Sequence, residues 1–230
     1  MNGKTQYGIV GAASCQDYID GVIKKHELTR PDKEEDRKVL SRILEANVEP
    51  VFFTYRAVPE IDAIVENIVT NNKAEYDFTA EDGFGHHFWV IEDAETNKII
   101  EELFKDKVPN TYVADGHHRT AAAAGMSEEF RKNNPNHTGN EPYNYFMAVH
   151  FPDTQLQIID YNRVVKDLNG LNTSEFLSKI DKNFTIKQAS ETIVKPERLH
   201  EFSMYLDGKW YGLSAKENTY NDNNPIDSLD

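Results

Sequence analysis

The sequence is short of cysteine, of long apolar runs and of positive charge, and each shortage removes a class of protein. One cysteine, Cys15, among 230 residues rules out an intramolecular disulfide and any multi-cysteine zinc or iron–sulfur site. Such usage fits a reducing compartment, with the cytoplasm as the default. No apolar run approaches the roughly 18 residues that a transmembrane helix needs, and MNGKTQYGIVGAASC lacks the basic-then-apolar order of a signal peptide. Lys and Arg number 25 against 39 Asp and Glu, a net charge of -14. That balance argues against nucleic acid or an anionic membrane as a partner and leaves room only for a local basic pocket. Internal repeats and low-complexity segments are missing as well.

What is present is enough for a core. Hydrophobic residues make up 39% and aromatics 11%, while a mean hydropathy of -0.66 reflects a charged surface. Alternating helix-like and strand-like segments predict one α+β domain over residues 1–230, a mixed sheet with flanking helices, with 152–230 as a C-terminal α/β extension. Both ends read as cuts, the polar NTYNDNNPIDSLD as a tail or the start of a further element.

Local patterns place the elements. Pro31 opens a helix to Ala46, with acids near its start and an apolar stripe of Val39, Leu40, Ile43 and Leu44. PVFFTYR is a strand, and Ile61, Ile64, Val65, Ile68 and Val69 mark a helix ending at Asn71-Asn72. HHFWVIED reads as a strand, NKIIEELFKD as a helix, TYVAD as a buried strand, and Ala121 to Ala124 as the heart of a helix. KNNPNHTGNEP is the candidate mobile loop before the strand YNYFMAVHF. LQIIDYNRVV reads as a strand, followed by a helix that Asn172 and Glu175 cap reciprocally and that Phe176, Ile180 and Phe184 line. Asp207-Gly208 closes a hairpin.

Chemistry concentrates in TYVADGHHRTAAAAG. A strand delivers a glycine turn and a helix N-terminus to one place, where free N–H groups and the helix dipole favour phosphate. Gly116 permits close approach, His117 and His118 add donors, and Arg119 is able to clamp phosphate oxygens. Asp115 would then hold a divalent cation that neutralises the phosphates. The plainer alternative is a strand-to-helix turn whose histidines cap or pack. In KKHELTRPDKEEDR, His26 and Glu27 enter a charged loop; this is either a solvated face or a general base beside a phosphate site. His86-His87 is a metal pair or a turn, and Cys15 reads as a buried small residue. Arg163, in an apolar setting, must be paired or reach a pocket.

IKKHELTRPDKEEDR, TYVADGHHRTAAAA and IDYNRVVKDLNG, in this order, resemble the family called domain of unknown function ten-fifteen. The resemblance covers most of the chain, and members are typically longer at both ends. More remotely, His-Glu paired with Asp-Gly-His-His-Arg is similar to free-serine kinases of the ParB/sulfiredoxin-like fold. That resemblance implies a nucleotide, ATP or ADP with Mg2+, its phosphates on the helix after the Gly-His-His-Arg turn. Glu27 would be the base, His26 its neighbour, Asp115 the magnesium-side carboxylate, and Gly116, His117, His118 and Arg119 the cradle. Arg163 matches an arginine that helps hold the amino-acid substrate, although Tyr161-Asn162 replace small hydroxyl residues before it and Val164 replaces a histidine after it.

The leading expectation is therefore a nucleotide-dependent kinase acting on a small hydroxylated metabolite, serine or a relative. Its rivals are a ParB-like nucleotide-binding regulatory module, which would not need Glu27, and a zinc hydrolase using His86-His87 with His117-His118.

Overall fold

In the computed structural model, which describes residues 5–187 and 190–221, the chain divides into two units, Met1–Ile158 and Ile159–Asp230. The first contains β1 (Ile9–Ser14), α1 (Cys15–Ile19), β2 (Ile23–Lys24), α2 (Pro31–Leu44), β3 (Val51–Tyr55) and α3 (Pro59–Asn71). It continues with β4 (Tyr76–Thr79), β5 (Gly85–Phe88), α4 (Ala94–Lys107), β6 (Thr111–Asp115), α5 (His117–Asn133) and β7 (Tyr145–Pro152). The second contains α6 (Thr173–Ile180), β8 (Phe184–Ile186), β9 (Glu201–Leu206) and β10 (Lys209–Ala215). The class is α+β, a mixed sheet with flanking helices. Among the described residues no helix is long and apolar enough to cross a membrane.

The main sheet has the order β1-β7-β3-β6-β2. β7 with β3 and β6 with β2 are parallel pairs, whereas β1 with β7 and β3 with β6 are antiparallel. β3, at the centre, buries Val51, Phe53 and Tyr55 at alternate positions, as a pleated strand must. Phe53 meets Phe146, Val113 and Ala148 in one core cluster, and Tyr55 joins Val58, Ile61 and Val108 in a second. Ile61 is fully buried on α3, as its helical spacing predicts.

Caps decide where helices begin. Asp93 accepts from the Thr96 N–H at 2.7 Å, so α4 starts three residues ahead of the expected NKIIEELFKD. Pro31 opens α2, and the left-handed Glu45 (φ 51°) ends it. The apolar stripe of α2 is not core: Ile43 is 74% exposed and Leu44 53%. Lys38 and Arg42 instead hold α2 to α5 through Glu129, at 3.4 and 2.6 Å. The expected mobile loop is tied internally. Glu141 accepts from the Thr138 N–H and hydroxyl and the Gly139 N–H, and those donors bring its carboxyl down to about 2.

Three expectations change. HHFWVIED contributes only its first residues to β5, whose partner β4 had no signal of its own; both strands are exposed. LQIIDYNRVV forms no strand: residues 156–165 are irregular, with Ile158 100% and Val164 95% exposed. β10 pairs with β8 and β9, and residues 156–165 join no strand among the described residues. Phe184 lies on β8 rather than α6. The capping box of Asn172 and Glu175 is present, and Asp207 and Gly208, at φ 50° and 77°, close the β9–β10 hairpin. Of the polar final stretch, residues 222–230 lie outside the described residues.

The core perturbs both Cys15 and His150. Cys15 is fully buried, its Sγ 3.6 Å from the Ala123 carbonyl oxygen, and burial pushes its thiol up to about 11. It is expected to resist a soluble thiol reagent in the native protein and to react upon unfolding in urea. His150 packs edge-on against Phe53 and Phe104, and burial pushes it from 6.5 down to about 4. Below pH 6.5 the unfolded chain takes up a proton that the fold refuses, so stability falls as pH drops toward 4, by about 3 kcal/mol across the window. His150→Leu is expected to lose less stability than the parent between pH 7 and 4.5, measured by urea unfolding.

Candidate functional site

Strand direction brings the two sequence clusters together. β2 runs parallel to β6, with Ile23 opposite Thr111 and Lys24 opposite Tyr112, so both release the chain at the same end of the sheet. Past β2 come His26 and Glu27; past β6 come Gly116 and α5. β3 is antiparallel to β6, so its entrance, Glu49 and Pro50, lies at that end too. The β3–β6 register slips there: Phe53 faces Val113 but Phe52 faces Asp115. Ala114 is thus the extra residue of a bulge just before the turn, a device that re-aims the residues after it.

Gly116 makes the turn at φ 95° and ψ 31°. A Cβ there would come within 3.2 Å of both Val51 Cγ1 and Arg119 Nε. α5 then begins at His117, 5% exposed. His117 Nδ1 lies 3.4 Å from Glu27 Oε2, and the His26 ring stands edge-on to it, centroids 4.5 Å apart. Burial, opposed by the nearby Glu27 charge, holds the His117 imidazole below its ordinary 6.5. Burial thus favours the neutral ring, and its Nε2 is buried with no hydrogen-bond partner among the described residues.

His118 has a different task. Its Nε2 accepts from the Arg30 N–H at 3.2 Å, which ties the entrance of α2 to the first turn of α5. Arg119 donates to the Pro50 carbonyl at 2.7 Å and pairs with Glu49 at 3.0 Å and Asp115 at 3.1 Å. Asp115 therefore sits with Arg119 and Glu49, apart from the cluster of His26, Glu27 and His117. These two clusters bracket the start of α5, one rich in imidazole and one an ion-pair network. Arg163 lies in the second unit, its guanidinium over the Tyr161 ring at 4.3 Å.

The zinc set that joined His86-His87 to His117-His118 is not what the fold assembles. His87 pairs with Asp77 at 3.0 Å and His86 stacks on Phe78. His117 instead joins His26 and Glu27, the three offering ligand atoms all within 4.8 Å of one another.

Sequence reasoning missed a cavity of about 780 Å³ beside α5. One wall is Arg119, Ala122, Ala123, Met126 and Phe130; Leu40 of α2 and Tyr143, Tyr145 and Phe146 contribute others. The helical spacing 119, 122, 123, 126, 130 was a readable signal. Glu49 and Pro50, which hold Arg119, had none, because only the antiparallel β3–β6 pairing makes them neighbours. The volume falls in the range of small-molecule sites, and Arg119 belongs both to this cavity and to the turn.

A family model described as protein of unknown function (DUF1015) matches residues 1–230. The chain belongs to this family. No curated protein and no solved structure matches it.

The turn is open to a direct test. Gly116→Ala forces a side chain into a left-handed conformation and into tight contact with Val51 and Arg119, and should cost about 1–3 kcal/mol. Urea unfolding of the variant measures that loss.

Proposed function

We propose that the first unit is a nucleotide-dependent phosphotransferase acting on a small hydroxylated metabolite such as free serine. The observation that carries the reading is the meeting of Glu27 with the first residue of α5, 3.4 Å apart although 90 positions separate them in sequence. A carboxylate beside a helix N-terminus entered through a left-handed glycine supplies what phosphoryl transfer needs, an anion site and a base for the acceptor. The matching fold reading is a ParB/sulfiredoxin-like nucleotide-binding core, supported by the order of the motifs and the mixed sheet behind them.

In this reading ATP or ADP lays its phosphates on the first-turn N–H groups of α5, and Arg119 exchanges Glu49 and Asp115 for phosphate oxygens. Asp115, exposed at the turn, is the carboxylate suited to Mg2+, which when bound neutralises phosphate charge. Glu27 takes the proton of the acceptor hydroxyl as its oxygen bonds to the terminal phosphorus and the bridging O–P bond breaks. His117, neutral and fixed by burial, holds Glu27 on one side, and His26 flanks both.

Binding and turnover separate in this scheme. Calorimetry with Mg2+ and ATP, ADP or CTP is expected to find a nucleotide that binds, and Arg119→Ala should weaken it about tenfold to a hundredfold. Glu27→Gln should leave that affinity within a few-fold while lowering phosphate transfer to a hydroxylated acceptor by ~10²–10⁴-fold. Nucleotide hydrolysis unchanged by Glu27→Gln would instead favour a nucleotide-binding regulatory module.

A further inference from the structure

We infer that His26, Glu27 and His117 form a binding site for one divalent transition metal of the zinc class, distinct from any magnesium carried by a nucleotide. The inference rests on the geometry of these three side chains and stands apart from the phosphotransferase reading.

Two imidazoles and a carboxylate are the ligand types that borderline metals such as Zn2+ select, whereas Mg2+ prefers oxygen alone. Their candidate ligand atoms lie within 4.8 Å of one another. Bonds of about 2.0–2.1 Å around a tetrahedral ion separate ligand atoms by about 3.3 Å. The 3.4 Å between His117 Nδ1 and Glu27 Oε2 already matches one such edge. The remaining edges close by rotation of His26 and Glu27, which are exposed, against a His117 ring fixed by burial. One ligand is thus rigid and two are adjustable, and the exposure of His26 and Glu27 leaves a fourth position for water.

The surroundings favour occupancy by one ion rather than two. Asp115, the nearest other acid of the turn, is engaged by Arg119, and His118 receives the Arg30 N–H. Each has a partner outside the cluster, so the donor set is three. A metal at this position would occupy the carboxylate that the phosphotransferase reading uses as base. On that reading, metal loading and base catalysis by Glu27 exclude each other.

The test uses the full chain and reads metal directly. Titration with Co2+ is expected to give one equivalent bound, with the visible absorption of a low-coordinate cobalt ion, and Zn2+ should displace it. His26→Ala and Glu27→Gln alter exposed side chains, so the fold should survive both. Each should weaken Zn2+ binding in calorimetry by roughly 100-fold or more, since even supporting groups around a metal cost about 10–100-fold. His87→Ala should leave the titration unchanged. Absence of stoichiometric binding would overturn the inference, as would binding that survives His26→Ala and Glu27→Gln but falls with His87→Ala, which would move the metal to the His87–Asp77 pair. Because the readout is metal occupancy, a chain that binds zinc yet transfers no phosphate after the metal is stripped would sink the phosphotransferase reading alone.

Discussion

The parallel pairing of β2 with β6 is the constraint on which the candidate site depends. β2 is only two residues long, Ile23–Lys24, and lies at the edge of the sheet, yet its direction decides where the chain that follows it goes. Ile23 is 4% exposed, so one buried side chain and a few ladder bonds hold the register. Antiparallel pairing would send His26 and Glu27 to the opposite end of the sheet, about a strand length from α5. Parallel pairing puts them against His117, in the crevice beyond the carboxyl ends of β2 and β6 where α/β sheets commonly bind ligands.

Burial and charge then divide the labour around the first turn of α5. His117 is buried, a fixed imidazole whose neutral form burial favours and against which exposed side chains can move. Arg119 is satisfied by a carbonyl and two carboxylates, and it must give up those partners to engage an anion. The cost is modest because Glu49 and Asp115 are exposed and water can replace what they lose. The N-terminus of α5 is left to the backbone itself, since Gly116 has no side chain with which to cap it. A helix start without a side-chain cap leaves its first N–H groups without an intrahelical partner.

The rest of the first unit holds this end in place. Phe53, Val113 and Phe146 pin the central strands, and Cys15 fills the space beneath Ala123 of α5. α2 is attached differently: Lys38 and Arg42 meet Glu129 and His118 meets the Arg30 backbone, while Ile43 and Leu44 stay in solvent. A helix fastened by surface ion pairs is held more weakly than one fastened by burial. α2 forms a wall of the cavity beside α5, and that wall is the loosely attached one.

Much of this was legible in the sequence where a signal is local. Pro31, the capping box of Asn172 and Glu175, the Asp207-Gly208 turn and the strand–glycine–helix run through Gly116 each depend on residues within a few positions, and each formed. Signals that needed a distant partner were misread or missed. LQIIDYNRVV has the composition of a strand yet pairs with none among the described residues, β4 exists because β5 does, and the stripe of α2 lies at the surface, with Leu40 lining the cavity. The site divides in the same way. By itself the sequence determined that a helix N-terminus with two histidines and an arginine follows a strand, half-buried where full burial was expected, and that a His-Glu pair precedes another helix. Only the tertiary structure decided that His26 and Glu27 join His117 while Asp115 joins Arg119 and Glu49. The physical reason is that propensity acts through neighbours in the chain, whereas strand direction and register are chosen by the burial of the whole sheet.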